Sequence, residues 1–208
     1  MEDTVKKISS TRNSLIVLAV LGSWLVGLLG ISIWFQSQYV KPFAVQPTFL
    51  QTNQTQAWFE SLNETYPQLA PYGGQAKVIQ FWQPDCLCNQ FARPHALSAQ
   101  IASKEQNLPH ITLVPARFAE QLDTLKALNP ETTILAVDTG LLPHIPNAPS
   151  LVIEKNDGDI HYFGPLGFGA FCGQASTSVI DRQINSLALD NAQPFFNVIG
   201  QGCFCPWQ

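Results

Sequence analysis

Four of the chain's five cysteines fall into two C-x-C pairs, Cys86/Cys88 and Cys203/Cys205, and Cys172 stands by itself. A C-x-C pair can close a disulfide through a small ring. Departures from the preferred disulfide geometry store strain and make the bond easier to reduce, which suits donating or reshuffling disulfides. The surroundings of the first pair act in opposite directions. Asp85 precedes Cys86, and a neighbouring carboxylate disfavours a thiolate. A helical pattern begins just after Cys88, and the positive end of a helix stabilises a thiolate. The second pair lies on a tail flanked by glycine and proline. Either it folds back and exchanges disulfides with Cys86/Cys88, or a tail cysteine joins Cys172 in a structural bridge. The second arrangement is the simpler expectation. Soft thiolates also suit Cu(I) or Zn(II), with His95 as a possible nitrogen ligand. A solvated or capping role is the expectation for His95.

The elements that must hold the first pair are legible in the chain. Val78 to Trp82 is an apolar run that reads as a buried strand, followed by a turn at Pro84-Asp85. Residues 89–103 have a helical pattern, with Pro94 inside it. Residues 110–115 read as a strand, 116–128 as a helix with Phe118, Leu122, Leu125 and Leu128 on one face, and 132–137 as another strand. Residues 150–154 and 159–163 flank Asn156-Asp157-Gly158, a hairpin signal. A last helix over 176–189 precedes a tail, 191–208, that reads as irregular. The order β-α-β-α-β-β-β-α implies an α/β fold, a mixed sheet with helices packed on it. Sheets of this kind commonly place a site at the carboxyl end of a strand, where Cys86 sits.

Residues 14–35, SLIVLAVLGSWLVGLLGISIWF, carry no charge and are long enough to cross a bilayer as a helix. Lys6, Lys7 and Arg12 precede the run, so the positive-inside rule predicts a cytoplasmic N-terminus, 1–13, and a translocated remainder. The run exceeds the apolar core of an ordinary signal peptide, which favours an uncleaved anchor. Residues 36–69 read as a linker with a short helix, and a domain over 70–190 follows. A net charge of −4 gives no support to nucleic-acid binding. Gly164-x-x-Gly167-x-Gly169 lacks the Lys-Ser/Thr of a phosphate loop.

Three motifs in this order resemble the thioredoxin-fold superfamily, and within it the membrane-tethered periplasmic proteins of the TlpA/ResA type. Phe81-Trp82-x-x-x-Cys86 is similar to the opening of that family's active site. Pro94, eight residues after Cys86, matches its kink proline. Ala148-Pro149-Ser150-Leu151 resembles its cis-proline strand. The resemblance spans roughly residues 70 to 190, and the segment 116–137 fits the insertion of the TlpA-like branch. It implies a thioredoxin-like mixed sheet flanked by helices, preceded by one transmembrane helix. The implied activity is thiol–disulfide exchange without a cofactor, with Cys86 as attacking thiolate, Cys88 as its resolving partner and Pro149 shaping a groove for an extended chain. Cys172, Cys203 and Cys205 are auxiliary thiols in this reading. The implied location is a bacterial inner membrane, single-pass, with the C-terminal domain in the periplasm. The implied partners are cysteine-containing periplasmic proteins or a membrane redox partner.

Three departures bear on the activity. The family's second cysteine is replaced by Asn89, the aromatic residue before the nucleophile by Asp85, and the buried acid that assists proton transfer by Gln80. Two further readings therefore stand beside exchange: metal binding or delivery on the same domain, and a thioredoxin-like interaction module without catalysis.

Overall fold

A computed structural model describes residues 2–43, 64, 66–141, 145, 147–167, 177–187 and 193–207. The chain forms two compact units, Met1–Tyr39 and Val40–Gln208. The first is one helix, α1 (Glu2–Tyr39), whose stretch Leu15–Gln38 has a mean hydropathy of 2.4 and is long enough to cross a membrane. Its large apolar side chains are exposed, among them Leu18, Trp24 and Val26.

The second unit is built on a six-stranded sheet. Its strands are β2 (Lys77–Phe81), β3 (His110–Pro115), β4 (Thr133–Val137), β6 (Ser150–Glu154), β7 (Ile160–Pro165) and β8 (Phe195–Phe196), in the order β4-β3-β2-β6-β7-β8. β3 runs parallel to β2 and to β4, because helical crossovers connect them. β6 is antiparallel to β2 and forms a hairpin with β7. At the hairpin turn, Lys155 N–H donates to Asp159 O over 2.8 Å, and Gly158 takes a φ of +89° that only glycine adopts readily.

Side chains alternate between the two faces of the sheet. Val78, Leu151, Ile153 and Tyr162 point to one face. There they meet α2 (Asn89–Glu105), through Ala96, Ala99 and Ala102, and α4 (Thr177–Ser186), through Ile180 and Ile184. The small alanines let α2 lie close to the strands, and Ser98 Oγ ties the two helices by donating to Asp181 over 2.9 Å. Ile79, Phe81, Ile111, Leu113, Val152 and Phe163 point to the other face. Among the described residues, no long helix covers that side. Its cover includes Phe43, Tyr66, Leu69 in the short 3-10 helix Pro67–Tyr72, Phe204 and Trp207.

Three segments differ from the sequence expectation. The helix expected over 116–128 divides into a 3-10 turn, Ala116–Gln121, and α3 (Leu122–Leu128). The expected linker already contributes structure: β1 (Val40–Pro42) belongs to the second unit and pairs with β9 (Gln201–Cys203). The tail, expected to be irregular, supplies β8, β9 and β10 (Cys205–Pro206), and β10 pairs with β5 (Asn147–Ala148). Hydrogen bonding explains this order, since isolated strands of two or three residues are not stable alone. Here Asn147 Nδ2 donates to Phe43 O over 2.6 Å and Phe43 N–H to Gly200 O over 2.8 Å, lacing the three segments together. The short helix expected in the linker lies outside the described residues.

Candidate functional site: two crossed cysteine pairs

β2 delivers the chain to the site. Trp82 N–H continues the sheet by donating to Leu113 O over 2.9 Å. The chain then turns at Pro84-Asp85, where Cys86 N–H donates to Gln83 O over 3.0 Å. Asn89 fixes this turn through its side chain, whose Nδ2 donates to Gln83 O over 2.7 Å. The residue that stands where the resemblance expects a second cysteine therefore shapes the loop that carries the first. Cys88 is the N-cap of α2, and its carbonyl accepts from Phe91 and Ala92 N–H. Both thiols of the pair thus sit at the positive end of α2.

Each cysteine of this pair is bonded to the tail rather than to its neighbour. Cys86 is joined to Cys205, with Cα atoms 5.9 Å apart, and Cys88 to Cys203, with Cα atoms 5.4 Å apart. This corrects the expected bridge between Cys172 and the tail: both tail cysteines are already taken by Cys86 and Cys88. Cys172 lies outside the described residues. Nothing in the sequence distinguished these pairings, because all four cysteines share the same local spacing.

The tail is held by more than sulfur. Val40 faces Cys203 and Ala148 faces Cys205 in antiparallel register. Phe204 packs edge-on against Phe43, with ring centroids 5.5 Å apart, and Trp207 packs edge-on against Phe81 at 5.5 Å. Gly202 is required beside Phe204, because a Cβ there would come within 2.8 Å of the Phe204 ring. The Ala148–Pro149 peptide is cis, and Pro149 is buried. The tail strand thus pairs with the residue just ahead of Pro149 while its cysteine is bonded to Cys86.

Burial orders the four sulfur-bearing residues. Cys86, Cys88 and Cys203 are buried, and Cys205 is only half-buried. Leu87, between the two site cysteines, is 53 % exposed and offers an apolar contact at the rim. Arg117 was missed from the sequence. Its guanidinium lies 3.1 Å from the Asp85 carboxylate and over the Phe118 ring. This neighbouring positive charge offsets the effect that Asp85 was expected to have on a thiolate. The signal could only come from the fold, since 31 residues of chain separate the two partners.

Gln80 occupies the place of the expected buried acid. Its Oε1 lies 3.1 Å from His110 Nε2, and His110 Nδ1 lies 3.1 Å from Ser103 Oγ. Both ring nitrogens thus have a polar neighbour, and the Ser103 hydroxyl also donates to Ala99 O over 2.7 Å. Burial lowers the His110 pKa to about 4. The network is therefore uncharged at neutral pH. His95, expected to be solvated or capping, is instead buried on α2. Among the described residues, the group of sulfur atoms able to converge on one ion is Cys86, Cys88 and Cys205, all within 4.8 Å of one another, and it includes no histidine.

The sheet order, the cis-proline ahead of β6 and a cysteine pair between β2 and α2 define a thioredoxin-like domain. A family model described as a domain of unknown function, DUF6436, matches residues 55–207, and the chain belongs to that family. No curated protein matches the sequence. Among solved structures, the chain is similar to a secreted Mycobacterium tuberculosis disulfide oxidoreductase homologous to Escherichia coli DsbE. That likeness has 16 % identity over 56 % of this chain and 85 % of the other, with a TM-score of 0.44. A thioredoxin-like protein from Neisseria meningitidis is also 16 % identical, over 59 % and 80 % of the two chains, with a TM-score of 0.44. The N-terminal domain of PilB from Neisseria gonorrhoeae is 18 % identical, over 59 % and 81 %, with a TM-score of 0.37.

Proposed function

We propose that the protein is a membrane-anchored thiol–disulfide oxidoreductase acting in the periplasm. Residues 14–35 are the anchor in this reading, 70–190 the thioredoxin-like domain and 191–208 a cysteine-bearing tail. Cys86 is the attacking thiolate, Cys88 the resolving thiol, and Pro149 shapes the groove. One observation carries the reading: Cys86 is bonded to a cysteine of an extended strand that pairs with Ala148, next to the cis-proline. A chain undergoing exchange must satisfy both conditions, a sulfur at Cys86 and backbone pairing that holds it there. The α2 N-terminus supports a thiolate at that place, and Arg117 offsets the opposing charge of Asp85.

The test is catalysed disulfide exchange by the full chain in detergent, using a protein with scrambled disulfides as substrate. Cys86→Ser abolishes turnover. Cys88→Ser accumulates a mixed disulfide between Cys86 and the substrate. Unchanged turnover in both variants refutes the assignment.

The sulfur positions favour a second reading, metal binding by the reduced protein. Three sulfur atoms within 4.8 Å of one another form a soft-donor set of a size that suits Cu(I). Stoichiometric Cu(I) binding that is lost on serine substitution at Cys86 or Cys88, with no turnover on disulfides, identifies that function instead.

A further inference from the structure

We propose that Cys203/Cys205 is a second redox centre, and that it exchanges disulfides with Cys86/Cys88 while the tail stays docked. This rests on the exchange activity proposed for Cys86 and extends it to a resident partner.

Three observations carry the inference. The tail has attachments besides sulfur, in the β1–β9 and β5–β10 pairings and the burial of Phe204 and Trp207. The sulfurs of Cys86, Cys88 and Cys205 lie within 4.8 Å of one another, so a thiolate released at Cys86 faces the sulfur of Cys88. Access is graded, since Cys205 is half-buried and the other three cysteines are buried. An incoming thiolate therefore meets the Cys86–Cys205 bond at Cys205 and is kept from the Cys88–Cys203 bond.

The steps balance with a dithiol as the external reductant. Its first thiolate attacks Cys205 Sγ, the Cys86–Cys205 bond breaks, and the electron pair leaves on Cys86. Its second thiolate attacks its own first sulfur, which closes the external disulfide and releases Cys205. The Cys86 thiolate then attacks Cys88 Sγ, the Cys88–Cys203 bond breaks, and the electron pair leaves on Cys203. Two electrons and two protons pass from the dithiol to the protein. The product has a Cys86–Cys88 disulfide and two tail thiols. The crossed form thus stores two disulfides, and the first reduction converts it to a form whose active-site pair is oxidised and whose tail is reduced.

The experiment uses the oxidised full chain in detergent, treated with one equivalent of dithiothreitol, quenched with acid and alkylated. Trypsin places Cys86 and Cys88 on the fragment 78–104 and Cys203 and Cys205 on the fragment 183–208, because the Arg93-Pro94 bond resists cleavage. The expected result is an unalkylated 78–104 fragment closed on itself and a separate 183–208 fragment with two alkyl groups. Fragments that remain joined, with one alkyl group on each, overturn the proposal, because the inner bond would then be static. The Cys205→Ser variant provides a second reading without reductant: its free Cys86 opens the Cys88–Cys203 bond and releases the 183–208 fragment. If the fragments stay joined but Cys86→Ser still abolishes turnover on an external substrate, the exchange activity stands and the relay alone fails.

Discussion

The two disulfides are concentric, and this makes their contributions to stability non-additive in a way that can be measured. Cys86–Cys205 and Cys88–Cys203 close loops with sequence separations of 119 and 115. By the chain-entropy estimate, either bond alone removes about 5 kcal/mol of freedom from the unfolded chain. Once one is in place, the other closes only the small ring made by residues 86–88 and 203–205, worth about 2 kcal/mol. The perturbation is removal of whole bonds, so that neither partner of a removed bond is left as a thiol. Cys86→Ser with Cys205→Ser is expected to cost about 2 kcal/mol, as is Cys88→Ser with Cys203→Ser. All four substitutions together are expected to cost about 7 kcal/mol, well above the sum of the two pairs. The assay is urea unfolding of the oxidised full chain in non-ionic micelles, followed by tryptophan fluorescence. A four-serine loss equal to the sum of the two pair losses refutes the shared-loop argument.

Two further outcomes follow from buried charge. His110 has a pKa of about 4 in the folded chain, against 6.5 for an unperturbed ring, so the unfolded state binds its proton first as pH falls. Its contribution is complete above the ordinary value and is lost on the way down to about pH 4, to the extent of about 3 kcal/mol. Urea midpoints measured across that range for the native chain and for His110→Asn show the loss in the native chain and not in the variant. Lys77 and Glu154 form an ion pair of 2.6 Å with side chains only 1 % and 4 % exposed. Lys77→Met should cost about 3–5 kcal/mol, because it removes the positive charge facing a buried carboxylate. Lys77→Met combined with Glu154→Leu should recover most of that loss in the same unfolding measurement.

What the sequence made legible was set by local physics. The run Val78 to Trp82, the helix after Cys88 and the Asn-Asp-Gly hairpin each carry their signal within a few residues, and each appears in the structure within a residue or two of its expected bounds. The tail carries no such signal. β9 and β10 are too short to show a period, and they exist because β1 and β5 supply their hydrogen bonds. The same holds for the site. The position of Cys86 at the end of a strand could be read, whereas its bond to Cys205 could not, since that depends on which segments the fold brings side by side. Gln80 read as the loss of a catalytic acid. The structure gives it a partner, His110, from the neighbouring strand.

One sheet face has its cover supplied from the far end of the chain, and this constrains how the protein is made. Ile79 and Phe81 emerge early in synthesis, yet Phe204 and Trp207, which close over them, emerge more than 120 residues later. Until then, the nascent domain shows an apolar surface covered only in part by Phe43, Tyr66 and Leu69, and two cysteines that lack their tail partners. That intermediate is at risk of aggregating and of pairing with the wrong chain. The last step in folding this domain therefore waits for the tail segment, and formation of the two disulfides records that the tail has docked.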